Sequence, residues 1–103
     1  MTRRIQFTPP ARAQFLAAVA YIRADRPGAA LSFRHRVNDA LSHLTEFPDA
    51  GRIAPEFPDL KFREVIIVDS YRFFYRLESE TIWVVGVWHG AQIPDIPDDS
   101  VDG

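Results

Sequence analysis

Tyr71-Arg72-Phe73-Phe74-Tyr75-Arg76, followed by Ile82-Trp83-Val84-Val85-Gly86-Val87-Trp88 and closed by His89-Gly90, is the stretch that decides the fold. Successive side chains of an extended chain point to opposite faces. Tyr71, Phe73 and Tyr75 therefore share one face, and Arg72, Phe74 and Arg76 share the other. The first face reads as core and the second as an open working surface. The run from Ile82 to Trp88 is apolar on both faces, as in a central or covered strand. Strict alternation puts Trp83 and Trp88 on opposite faces of it. The polar Glu78-Ser79-Glu80 turn separates the two strands.

Working back toward the N-terminus, Phe62 to Val68 is rich in β-branched and aromatic residues and reads as another strand, turned into the next by Asp69-Ser70. Residues 48 to 60 hold three prolines, Gly51 and little periodicity, and read as a surface loop. Phe33, Val37, Leu41 and Leu44 recur at helical spacing, and Phe47-Pro48 closes that helix because a residue before proline is pushed out of helical geometry. Phe15, Val19 and Ile22 mark an earlier helix from about Pro10 to Asp25, opened by a Thr8 cap with proline in the first turn and ended at Pro27-Gly28. Arg4 to Thr8 alternates as a short first strand. The expected fold class is α+β, with the elements in the order β-α-α-β-β-β.

The chain has 103 residues, enough for one modest core, so residues 1–92 are expected to form a single domain and 93–103 an acidic flexible tail. It is 47% hydrophobic and 25% charged, as ordinary globular domains are. No apolar run approaches the roughly 20 residues that span a bilayer, and Arg3-Arg4 lead into no signal-peptide core, so the protein is expected to be cytoplasmic and off the membrane. With no cysteine, disulfides, thiolate metal sites and cysteine nucleophiles are excluded. Residues 1–94 carry all 12 Lys and Arg against 10 Asp and Glu, while Asp95, Asp98, Asp99 and Asp102 supply the other 4 acids. The body is thus mildly basic, and 11 of its 12 cations are Arg, a bias that suits bidentate recognition of phosphate or carboxylate.

Arg72 and Arg76 lie two apart on one face and are candidates to meet a phosphate or an acidic partner. The alternative is that they solvate the open face or pair with Glu64 and Glu78. On the exposed reading, Arg72→Ala keeps the fold, whereas Tyr75→Ala removes core volume and destabilises. His35 and His43 are eight apart on the second helix, too far for a shared metal, so no metal and no cofactor is expected.

The chain resembles the RelE/ParE family, the toxic halves of type II toxin–antitoxin pairs, from about Ile5 to Gln92. The marks are Phe7-Thr8 with Ala11 opening the first helix, Gly51-Arg52 after the second, Leu60 with Arg63, Tyr71-Arg72 with Tyr75-Arg76, and His89-Gly90. The family implies a two-layer α+β fold, an N-terminal strand then two helices packed on one face of a small, mostly antiparallel sheet, and a cognate antitoxin whose C-terminal segment folds along the toxin, and hence a hetero-oligomer. In the RelE branch the toxin cleaves messenger RNA on the ribosome, driving a 2′-hydroxyl onto the adjacent phosphate with a base, an acid and cations on the developing charge. If that branch applies, the resemblance implies Arg63, Arg72 and His89 as catalytic residues. Val65, however, stands where a second lysine is expected, and Ala91-Gln92-Ile93-Pro94 lacks the terminal basic and tyrosine residues. In the ParE branch the toxin inhibits DNA gyrase by protein contact, and the paired Tyr-Arg pattern with a terminal His-Gly resembles that branch more. The favoured expectation is therefore a ParE-like toxin that binds a target protein such as DNA gyrase, with a RelE-like, ribosome-dependent endoribonuclease as the alternative. Arg72, Arg76, Trp88 and Arg34 are the expected target- or antitoxin-binding residues, with Arg12 and Arg23 as further cations for antitoxin acids.

Overall fold

The computed structural model describes residues 3–59, 61–67 and 71–90. The order is β1 (Arg4–Phe7), α1 (Pro9–Asp25), α2 (Pro27–Glu46), β2 (Arg52–Ile53), β3 (Arg63–Ile67), β4 (Tyr71–Glu78) and β5 (Thr81–His89). The five strands form one sheet in the order β1-β5-β4-β3-β2, parallel between β1 and β5 and antiparallel elsewhere. Both helices pack on one face, as the family resemblance implies. The tail expected at 93–103 lies outside the described residues.

Local chemistry explains the helix hairpin. Thr8 is fully buried at the N-cap of α1, its Oγ1 accepting from the Ala11 amide, and Pro9-Pro10 occupy the first turn, where no amide partner is needed. At the other end Arg26 is the single residue between the helices, held extended (φ −144°, ψ 99°) as the residue before Pro27 must be. Its amide donates to the Ile22 carbonyl, closing α1, while its own carbonyl accepts from Ala29 and Ala30, opening α2. Pro27-Gly28, expected only to end the first helix, therefore also starts the second, because proline is tolerated in a helix's first turn.

The core on the helix side joins Phe33, Val37, Leu41 and Leu44 of α2 and Ala11, Ala18 and Val19 of α1 to Phe73, Tyr75, Ile82, Val84 and Val87. Its rings meet at close range: Phe7 and Phe15 at 5.5 Å between centroids, Phe33 and Tyr71 at 5.1 Å. Tyr75 also ties down the chain beyond α2, because its hydroxyl donates to the Pro48 carbonyl (2.7 Å) and accepts from the Gly51 amide (2.9 Å). Only glycine fits at that amide. A Cβ on residue 51 would stand 2.5 Å from the Tyr75 Oη and 2.7 Å from the Glu64 carbonyl.

Three sequence expectations change. The segment read as loop contains β2, two residues paired antiparallel to Arg63 and Glu64, too short to show a period. Trp83 and Trp88 do not fall on opposite faces. The pairing runs Phe74 to Gly86 and then Tyr75 to Val84, so Val85 is an extra residue in β5. That bulge resets the alternation: Ile82, Val84 and Val87 face the helices, while Trp83, Val85 and Trp88 pack together on the reverse face. Nor is the reverse face an open surface. Ala54, Phe62, Phe74 and Val85 are buried there as a second small core, with Phe57, Trp83 and Trp88 packed against it.

The β4–β5 hairpin turns through Ser79 and Glu80, with Glu78 opposite Thr81. Ser79 is at φ 56°, the only non-glycine residue with positive φ among the described residues. A two-residue hairpin loop that puts its first central residue alone in this region favours glycine there. Ser79→Gly is expected to raise unfolding free energy by about 0.5 kcal/mol or more, measured by urea denaturation, whereas a comparable loss would show that the turn is not strained.

Candidate functional site

Arg72 sits on the reverse face of β4 and is buried, with 9% of its side chain exposed. Neighbouring strands set its partners. Glu64, on β3 and directly opposite Phe74, points to the same face and has no exposed side-chain surface. Its two carboxylate oxygens accept from Arg72 Nε at 2.6 Å and from Arg52 Nε, on β2, at 2.7 Å. The outward fork of Arg72 is filled by Glu56 from the loop between β2 and β3: Nη1 donates to Oε2 at 2.8 Å and Nη2 to Oε1 at 2.6 Å. The guanidinium also stands 5.0 Å from the centre of the Phe74 ring. The result is a chain of alternating charge, Arg52–Glu64–Arg72–Glu56, laid across the sheet.

These contacts shift the titration of Glu56 and Arg72. The hydrogen bonds from Arg72 hold the Glu56 carboxyl down at about 2, against an ordinary 4.5. The hydrogen bonds to Glu56 and Glu64 raise Arg72 above its ordinary value. Burial pushes the Tyr75 phenol up, so it stays a neutral donor to Pro48. The expectation that Arg72 is an exposed cation is thus corrected, while its pairing with Glu64, the alternative weighed from sequence, is what the fold builds. Glu56 was missed because a loop carboxylate eight residues from its partner strand's carboxylate carries no periodic signal.

The second feature is a groove of about 490 Å³ between α1 and the end of β5, lined by Gln14, Ala17, Tyr21, Tyr71, Trp88 and His89 among others. It exists because β1 is short: its last residue, Phe7, lies opposite Val84. Beyond that point the strand pairing ends and the chain turns into α1, whose Gln14 side chain accepts from the Val87 amide at 2.8 Å where another strand would. Tyr21, 76% exposed, forms part of the wall. His89 lies opposite Tyr71 across the β4–β5 pair and meets its ring edge to face at 5.1 Å.

Known proteins resemble the chain in sequence pattern and in fold. Residues 5–94 match the model of the ParE toxin of the type II toxin–antitoxin system parDE. The chain belongs to the ParE toxin family. A solved structure titled as the chromosomal ParDE TA system from P. aeruginosa shares the fold, with a TM-score of 0.67 at 16% identity over 84% of this chain and 94% of that one. No curated protein sequence matches the chain significantly.

In this ParE chain the residues considered for nuclease chemistry do not converge. Arg63 lies opposite Tyr75 and His89 opposite Tyr71, so both are on the helix-facing side, four positions apart along β4, or roughly 13 Å. Arg72 is on the reverse face. Arg63 is drawn toward the loop after α2, where Nη1 donates to the Gly51 carbonyl at 2.8 Å and Nε approaches Asp49 at 3.6 Å. Among the expected binding residues, Arg76 is half-buried and paired with Glu78, Trp88 is partly exposed beside the groove, and Arg34 is exposed on α2. Among the described residues no group of three or more His, Asp and Glu side chains converges as a metal site, and no helix is long and apolar enough to cross a membrane.

Removing Arg72 leaves Glu64 buried against Arg52 alone. Arg72→Ala is expected to cost about 3–5 kcal/mol, measured by chemical denaturation at neutral pH; a loss below about 0.5 kcal/mol would indicate an exposed residue. The same experiment carries a pH signature from Glu56. Its folded-state value lies below its unfolded one, so its contribution is complete above about 4.5 and is lost as pH falls toward about 2. The Arg72→Ala chain should lack that acid limb.

Proposed function

We propose that this ParE chain arrests growth by binding and inhibiting a target protein such as DNA gyrase, and that a cognate antitoxin neutralises it in a hetero-oligomeric complex. The observation that carries this reading is the division of Arg63, His89 and Arg72 between two faces of the sheet, each engaged with neighbouring groups. Phosphoryl transfer needs base, acid and cations around one scissile phosphate; protein contact needs only a shaped surface. The groove beside β5 is such a surface, concave and walled by Tyr21, Tyr71 and Trp88, the residue types that anchor interfaces. Arg34, with Arg12 and Arg23, supplies exposed cations on the helical layer for antitoxin acids. A gyrase-type target places the action in the cytoplasm.

Expression of the chain alone is expected to arrest growth with filamentation and DNA-damage signalling, and co-expression of the antitoxin from the adjoining reading frame to relieve it. The purified chain is expected to inhibit supercoiling by purified gyrase. Untouched supercoiling together with discrete transcript cuts at ribosome-occupied codons would replace this reading with the endoribonuclease.

A further inference from the structure

The two carboxylates on Arg72 differ in how they are held. Glu64 belongs to β3 and is sealed from solvent, whereas Glu56 stands on the turn-rich segment between β2 and β3 with 36% of its side chain exposed. Without Glu56 the site would hold two guanidinium groups against one carboxylate, an excess of one positive charge beside aromatic rings. The rim is apolar: Ile66 on β3 and Trp88 on β5 lie opposite Arg72 on its two sides, and Ile66 is 55% exposed. A guanidinium fork flanked by apolar side chains is a residue pattern enriched at binding hot spots.

We propose that the outward fork of Arg72 is a receptor for an aspartate or glutamate side chain of a partner protein, closed in the free chain by Glu56 acting as a built-in surrogate ligand. Exchange replaces one bidentate carboxylate pair with an equal one, so no buried charge is stranded. A single carboxylate balances the excess charge, whereas a phosphate dianion would overshoot it. Acetate can only replace a pair that wild type already makes and so adds little stability to it, whereas an acidic side chain delivered by a docked partner is held at the fork by its own tether and competes with Glu56 on equal terms. The inference deepens the reading of the chain as a partner-binding toxin.

The test uses acetate as probe. Melting temperature is measured for the wild-type chain and for Glu56→Ala at rising acetate, with ionic strength held constant by chloride. Glu56→Ala is expected to melt lower than wild type in chloride and to recover most of that loss saturably in acetate, while wild type does not respond. Recovery absent, or equal in both chains, overturns the receptor. Stronger recovery in inorganic phosphate than in acetate overturns its carboxylate preference. If Glu56→Ala does not fold in chloride, refolding in acetate but not in chloride supports the site, and failure in both overturns it. These readouts are independent of growth arrest, so a non-toxic chain with intact acetate recovery would remove the toxin reading and leave the receptor standing.

Discussion

The reverse face of the sheet depends on one buried carboxylate. Glu64 has no solvent to satisfy it, and its two oxygens are met by guanidinium groups from the strands on either side of β3. Burying an unpaired carboxylate would cost several kcal/mol, so the position of Glu64 commits Arg52 on β2 and Arg72 on β4 to reach it. That commitment has structural consequences. It gives two-residue β2 a reason to pair at the sheet's edge, and it brings the loop beyond β2 close enough for Glu56 to close the fork and for Phe57 to pack near Phe74 at 6.2 Å. Apolar burial holds the helix face of the same strand, while paired charge and a smaller apolar cluster hold the other.

β4 therefore serves two cores at once. Phe73 and Tyr75 are part of the large one under the helices; Arg72 and Phe74 organise the small one opposite. Tyr75 adds a mechanical link, since its hydroxyl fastens the chain after α2 at Pro48 and Gly51, immediately before β2 begins. Position 51 admits no side chain for the same reason. The helical layer, the connecting loop and the edge strand are thus tied to a single strand.

Much of this was legible in the sequence. The helices declared themselves through Phe15, Val19 and Ile22 and through Phe33, Val37, Leu41 and Leu44, and the double face of β4 through strict alternation; these are local, periodic signals. Signals that depend on a partner far along the chain were not. Strict alternation puts Trp83 and Trp88 on opposite faces, and the bulge at Val85 that overturns it is marked in β5 only by the interior Gly86, a signal too weak to fix its position. Arg72 read as exposed because a cation on an alternating strand is usually solvated; its burial is decided by Glu56 and Glu64, 16 and 8 residues away. Arg63 and His89 looked like partners of Arg72 until pairing put them on the other face. Residue types indicated which chemistry was available, but only the pairing showed which groups meet.

The most direct test of this account is a double-mutant cycle on Glu64 and Arg72, using Glu64→Gln, Arg72→Met and the double variant in equilibrium denaturation at neutral pH. If the buried pair fixes the reverse face, each single change leaves the remaining member with one counter-charge instead of two and the double change removes that imbalance, giving a coupling energy of about 2 kcal/mol or more. Additive losses, with coupling near zero, would contradict it.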